Sequence, residues 1–166
     1  MLRGHHAVLF VGHYEHSIDA KQRLAIPSEV RAVLERSGLG SGEAIALYAV
    51  IQEGPTLALY TEAGFEKRAA ELDHSQLPAE QVLAYEQLFF SRASRVELDK
   101  QGRVRLPERL IRLAGLDRDV VILGVKDHLQ VHDRDRWNAL EETLSRDPAA
   151  MYNPRRLLRN GAAPGG

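Results

Sequence analysis

Asp19-Ala-Lys-Gln-Arg23-Leu-Ala-Ile-Pro27 returns later in the chain as Asp99-Lys-Gln-Gly-Arg103-Val-Arg-Leu-Pro107, with Asp, Arg and Pro each displaced by 80 residues. A phrase repeated at fixed spacing marks a duplicated structural unit, and that reading governs every local one. Each copy follows a strand-like run, residues 14–18 or 95–98, and opens a second short strand, 24–26 or 104–106, that stops at proline. Proline ends strand pairing and suits the first turn of a helix. Beyond Pro27, Val30, Val33 and Leu34 recur at helical spacing, with Gly38 placed as a cap. Beyond Pro107, Leu110, Leu113 and Ala114 do the same ahead of Gly115. Both patterns predict short amphipathic helices of about two turns.

The repetition extends outward. Segments 43–51 and 120–125 read as strands, as do 56–60 and 128–132, with Leu57 and Leu59 matching Leu129 and Val131 at an offset of 72. The shorter offset puts extra residues into the first copy, near Gly38-Leu-Gly-Ser-Gly42. A further helix follows in each half, anchored by Phe65 and Leu72 or by Trp137 and Leu144. Residues 78–90 add a connecting helix with Val82, Tyr85 and Phe89 on one face. A β-β-α-β-β unit of about 45 residues buries too little surface to stand alone, so two are expected to complete one core. The predicted class is α+β: two tandem β-β-α-β-β swapped-hairpin repeats forming one pseudo-two-fold β-barrel with peripheral helices. The predicted divisions are a first repeat over 13–62, a helical connector over 63–92, a second repeat over 93–136, a C-terminal helix over 137–147 and a flexible tail over 148–166.

Composition narrows the function. With 44% apolar and 27% charged residues, the chain of 166 residues is ordinary for a globular protein. It has no cysteine, which removes disulfides and thiolate chemistry. The apolar stretch at 7–11 is too short for a signal h-region or a membrane span, so a cytoplasmic protein is expected. The net charge is −1, so contact with nucleic acid would have to come from local basic loops. Residues 92–112 carry seven cations against Glu97, Asp99 and Glu108, a balance of +4, whereas residues 14–36 balance to zero.

Taken together, these segments resemble the MraZ family of bacterial transcriptional regulators, built on the SpoVT-AbrB fold. The resemblance runs from about Phe10 to Leu144. Its most specific parts are Val96-Glu-Leu-Asp-Lys-Gln-Gly-Arg-Val-Arg-Leu-Pro107 and Leu113-Ala-Gly-Leu-Asp-Arg-Asp-Val-Val-Ile-Leu-Gly124. Val131-His-Asp-Arg-Asp-Arg-Trp137 also matches, with His132 where the family has tryptophan. The resemblance implies a sequence-specific binder of double-stranded DNA, acting on the division and cell-wall gene cluster and associated with the nucleoid. It further implies a homo-oligomeric closed ring whose protomers engage direct repeats in a promoter, which suits a nearly neutral chain because multivalency can replace a single basic face.

The loop chemistry fits that expectation. An Asp carboxylate in a tight strand connection can accept backbone N–H bonds, and glycine at the fourth position permits a left-handed backbone. The Arg that follows presents a planar fork able to read guanine or grip phosphate. Lys21, Gln22, Arg23, Lys100, Arg103 and Arg105 are therefore the candidate DNA-binding residues. Asp19, Asp99, Gly102, Pro27 and Pro107 are the candidates that structure the loops. The competing reading is that each Asp and Arg pair with one another and only stitch the fold. Gln22 departs from the family's glycine, so the first loop either takes another backbone course or tolerates strain on the order of 1 kcal/mol. Its amide could also read adenine.

Other features carry less. His13 and His16, and His5 with His6, lack a third ligand at a familiar metal spacing and read as strand or surface residues. Gly38-Leu-Gly-Ser-Gly42 follows a helix and precedes a strand, the reverse of a phosphate-binding loop. Ser28 and Ser94 have no base partner in sight, and no catalytic frame is present, so no enzyme activity, cofactor, metal or small-molecule substrate is expected. The apolar faces of the helices read as core packing, with part of that surface expected at protomer interfaces. Arg155, Arg156 and Arg159 read as a solvated tail. An antitoxin-like module and a ring-forming scaffold, each acting through protein partners, are the alternative functions. The short basic tail argues against the first.

Overall fold

The computed structural model describes residues 8–72 and 76–153. The expectations for His5, His6, Arg155, Arg156 and Arg159 lie outside the described residues. Among those described, the chain forms eight strands and six helices. β1 is His13–Ser17, β2 Arg23–Ala25, α1 Ser28–Arg36, β3 Ala46–Gln52, β4 Thr56–Tyr60, α2 Glu62–Leu72 and α3 Ala79–Arg92. β5 is Ser94–Glu97, β6 Arg103–Arg105, α4 Glu108–Leu113, β7 Asp119–Val125, β8 His128–Asp133, α5 Arg134–Ser145 and α6 Pro148–Tyr152. The class is α+β with two β-β-α-β-β repeats. No helix among the described residues is long and apolar enough to cross a membrane.

The repeats exchange strands. An antiparallel sheet runs in the order β1-β7-β8-β4-β3-β5, and β2 pairs with β6 in a separate two-stranded ribbon. The first strand of each repeat thus pairs with the third strand of the other, β1 with β7 and β5 with β3. The two fourth strands, β4 and β8, meet at the centre. Single bridges, Ile18↔Leu24 and Leu98↔Val104, tie the ribbon to the two edge strands β1 and β5. Neither repeat could close its hydrogen bonds alone, which is why the duplication folds as one unit.

Side-chain alternation explains the two layers of core. Leu57 and Leu59 of β4 face the main core with Leu24, Val104, Ile122, Leu129 and Val131. Ala58 and Tyr60 face the other way, against Val50, Phe65 and Phe89. All five residues of β4 are buried, so its unbroken apolar run Thr-Leu-Ala-Leu-Tyr reads as a strand covered on both faces. Phe65 of α2 stacks on Tyr48, at 4.8 Å between ring centroids, and also meets Phe89 and Phe90 of α3.

Several boundaries shift from the sequence expectation for local reasons. β1 ends at Ser17 because Ile18 forms only an isolated bridge before the turn at Asp19. β3 begins at Ala46, since Glu43 and Ala44 are exposed loop residues. Pro27 and Pro107 occupy the N-cap positions of α1 and α4, one residue before the first turn. Their carbonyls accept the Arg31 and Ile111 amides at 3.0 and 3.2 Å. The chain divides into two compact units after Asp133. The second holds α5, with an Arg146–Glu142 ion pair of 3.3 Å, and the short α6, which opens the segment read from sequence as a tail.

Candidate nucleic-acid interface

The two Asp–Arg loops are built by the same set of bonds. In the first, the Asp19 amide donates to the Arg23 carbonyl at 3.0 Å and the Gln22 amide to the Asp19 carbonyl at 2.9 Å. In the second, the corresponding bonds join Asp99 to Arg103 at 2.8 Å and Gly102 to Asp99 at 3.0 Å. Asp19 Oδ1 accepts the amides of Lys21 and Arg23, both at 2.9 Å. Asp99 Oδ1 accepts those of Gln101 and Arg103, at 2.9 and 3.0 Å. The second oxygen of each carboxylate takes the guanidinium Nε, at 2.7 Å from Arg23 and 2.9 Å from Arg103. The Arg backbone amide, helped by the Arg side chain and a second amide, holds each carboxyl below the usual carboxylate range despite partial desolvation.

The loops also brace one another. The Gln22 carbonyl accepts the Leu106 amide at 2.8 Å, and the Gly102 carbonyl accepts the Ile26 amide at 2.9 Å. Gln22 takes the left-handed backbone at φ 63°, close to Gly102 at φ 76°. The first loop therefore keeps the common backbone course and carries the strain. These reciprocal bonds make the loops neighbours on a single surface.

The ribbon decides what that surface displays. Leu24 and Val104 are cross-strand partners and both are fully buried. The residues on either side of them must face outward, namely Arg23, Ala25, Arg103 and Arg105. Arg23 lies directly opposite Arg105, and Arg103 opposite Ala25. Like charges facing each other across a ribbon are destabilising by themselves. A polyanion would remove that cost.

Each Asp–Arg pair both stitches and aims. With Nε engaged by Asp, Arg23 keeps both terminal nitrogens as an end-on fork and Arg103 keeps Nη1, and the two side chains are 30% and 29% exposed. Gln101 accepts a hydrogen bond from Arg103 Nη2. Among the described residues, Arg23 makes no bond besides those to its loop, and the side chains of Lys21, Gln22, Lys100 and Arg105 make no hydrogen bond or ion pair. All of the candidate DNA-binding residues thus lie on the ribbon or the turns at its ends. Sequence reasoning missed Arg31, whose Nε donates to the Ile26 carbonyl at 3.2 Å and whose side chain lies over Gly102. No spacing rule pointed to it.

The described histidines form no centre of this kind. His16 lies on β1, and burial pushes its imidazole below the usual range. Among the described residues no group of three or more His, Asp or Glu side chains could hold a metal ion.

Fold and surface together define a class: a duplicated AbrB-like protein whose exchanged strands present two Asp-anchored arginine loops side by side. The family model described as "MraZ protein, putative antitoxin-like" matches residues 89–160. A curated protein of Acetivibrio thermocellus named Transcriptional regulator MraZ is 34% identical over 144 residues, which are 86% of this chain and 94% of that one. Proteins of the same name from Limosilactobacillus fermentum and Clostridium tetani are 33% and 31% identical, across 84% and 78% of this chain and 91% and 84% of their own. The chain belongs to the MraZ family. Its relatives are named as regulators, not as enzymes.

Proposed function

We propose that this protein is a DNA-binding transcriptional regulator that reads promoter DNA through the outward face of the β2–β6 ribbon. The observation that carries this reading is the set Arg23, Arg103 and Arg105 on one face, two of them held side-on by Asp19 and Asp99. A two-stranded ribbon fits the major groove of B-DNA, and an arginine fork matches the O6 and N7 acceptors of guanine. Lys21 and Lys100, in the turns at the ends of the ribbon, would meet phosphates, and the Gln22 amide would meet a base edge. Pro27 and Pro107 would fix the chain's exit from each loop into its helix.

The finer reading is a repressor of the division and cell-wall gene cluster, cytoplasmic and associated with the nucleoid, working as a closed ring on direct repeats. The target follows from the family resemblance. The ring is supported by the charge balance, because a chain of net charge −1 gains affinity when several protomers engage one duplex. The partition into two repeats over 13–62 and 93–136, with helical and tail segments between and beyond, belongs to the same proposal.

Fluorescence anisotropy with DNA from upstream of the protein's own gene, against a shuffled duplex and across salt, tests the reading. Preference for the upstream DNA, with a salt slope of several phosphates, is the expected result. Equal and weak binding to both duplexes would favour the alternative of an antitoxin-like or scaffold protein acting on other proteins.

A further inference from the structure

The two loops share a backbone but differ in what they allow at the left-handed position. Gln22 sits there with a full side chain at φ 63°. At Gly102, an added Cβ would lie 2.6 Å from Arg31 Cδ, 2.8 Å from its Nε and 2.9 Å from its Cζ. Backbone strain therefore does not explain why one position holds glycine and the other glutamine, since both have φ in the same region. What distinguishes Gly102 is its neighbour, since the outer stem of Arg31 occupies the space a side chain there would take. Position 31 corresponds, at the 80-residue offset, to Ile111 in the second repeat.

Arg31 also closes a circuit. Its Nε donates to the Ile26 carbonyl at 3.2 Å, and the Ile26 amide donates to the Gly102 carbonyl at 2.9 Å. Its Cδ, Nε and Cζ fill the space that a Cβ at Gly102 would take. A residue on α1 of the first repeat thus holds the second repeat's turn from two sides, immediately before Arg103. We infer that Arg31 is a positioning residue that clamps the second loop, disfavours a side chain at position 102 and sets the aim of Arg103. This rests on the DNA-binding reading for its functional half; its packing half stands by itself.

The functional half is tested by a double-mutant cycle read by anisotropy, in full-length protein of confirmed oligomeric state. Arg31→Met keeps most of the stem and removes the donor. It should weaken binding to the upstream DNA on the order of five-fold, the scale of one hydrogen bond. The same substitution should cost less than about two-fold in an Arg103→Ala background, yet keep its full effect in an Arg23→Ala background. A purely structural role would weaken binding equally in both, and that result, or no loss at all, overturns the inference.

The packing half is read by melting without DNA. Gly102→Ala should lower the thermal midpoint on the order of 5 °C. Adding Arg31→Ala to that chain should recover a good part of the loss, because the clash goes and only the strain remains. A double variant that melts no higher than Gly102→Ala alone overturns the clamp. Wild-type protein that ignores its upstream DNA would sink the functional reading while leaving the melting result to decide the clamp.

Discussion

The first and second Asp–Arg loops have nearly superimposable hydrogen bonding and quite different surfaces. Asp19 and Asp99 bind the same backbone groups at distances that agree within about 0.2 Å. Around that shared frame, Gln22 stands against Gly102, Ala25 against Arg105, and Arg31 against Ile111. The first repeat contributes an amide at the turn and a locally neutral segment, the second an extra arginine and a local balance of +4. Duplication fixed the backbone, because each loop's carbonyl completes the other's ribbon. Side chains that play no part in that exchange were left to diverge, and they can give the two loops separate tasks.

The shared frame is the costliest thing to break. Leu24→Ala should lower unfolding free energy by about 3 kcal/mol, since Leu24 is fully buried opposite Val104 and its loss leaves a cavity under both loops. Chemical denaturation would check this, and Val104→Ala should follow the same direction. Next come the anchors. Asp19→Ala and Asp99→Ala each remove the acceptor for two amides and one guanidinium, and each should weaken DNA binding more than about ten-fold, the scale of one well-placed base contact. Gln22→Gly works in the opposite direction. By removing a left-handed side chain it should stabilise the protein by about 1 kcal/mol, visible as a raised thermal midpoint.

Smaller effects follow from charge. Ala25→Arg would give the first repeat the arginine that the second has in Arg105. It should steepen the salt dependence of binding by about one phosphate while raising affinity for shuffled DNA as well. The smallest effect is acid sensitivity. Asp19 and Asp99 titrate below the usual carboxylate range because the ionised form accepts the Arg amide, the Arg side chain and a second amide. A depressed folded value means that stability is present above the unfolded value, near 3.8, and is lost as pH falls through the folded value. Protection factors of the Arg23 and Arg103 amides, corrected for the intrinsic exchange rate, should therefore fall together below about pH 4, and Asp19→Asn should uncouple the first loop from that change.

Much of this architecture was legible. The 80-residue offset announced the duplication, and the proline-ended phrases located β2, β6 and both following helices to within a residue or two. The aromatic and leucine spacing found α2, α3 and α5, and 56–60 was legible as a strand, though its burial on both faces was not. What escaped was non-local. The placement of Arg31 over Gly102 joins residues more than 70 apart in sequence, and no periodicity encodes it. The backbone of Gln22 was also undecidable from its identity, because the bond from Leu106 that holds it comes from the other repeat. Likewise, Arg105 could be named as basic, but its position opposite Arg23 depends on the register of β2 with β6.

In the proposed function the outward ribbon face reads DNA and the first loop, despite Gln22, takes part. Titrating upstream and shuffled duplexes into wild-type, Arg23→Ala and Arg103→Ala proteins tests it most directly, with melting and oligomeric state checked for each. Specific binding by the wild type, lost about ten-fold or more in Arg23→Ala and weakened in Arg103→Ala, with folding intact, is the expected result. Wild-type affinity retained in a folded, correctly assembled Arg23→Ala protein would contradict it.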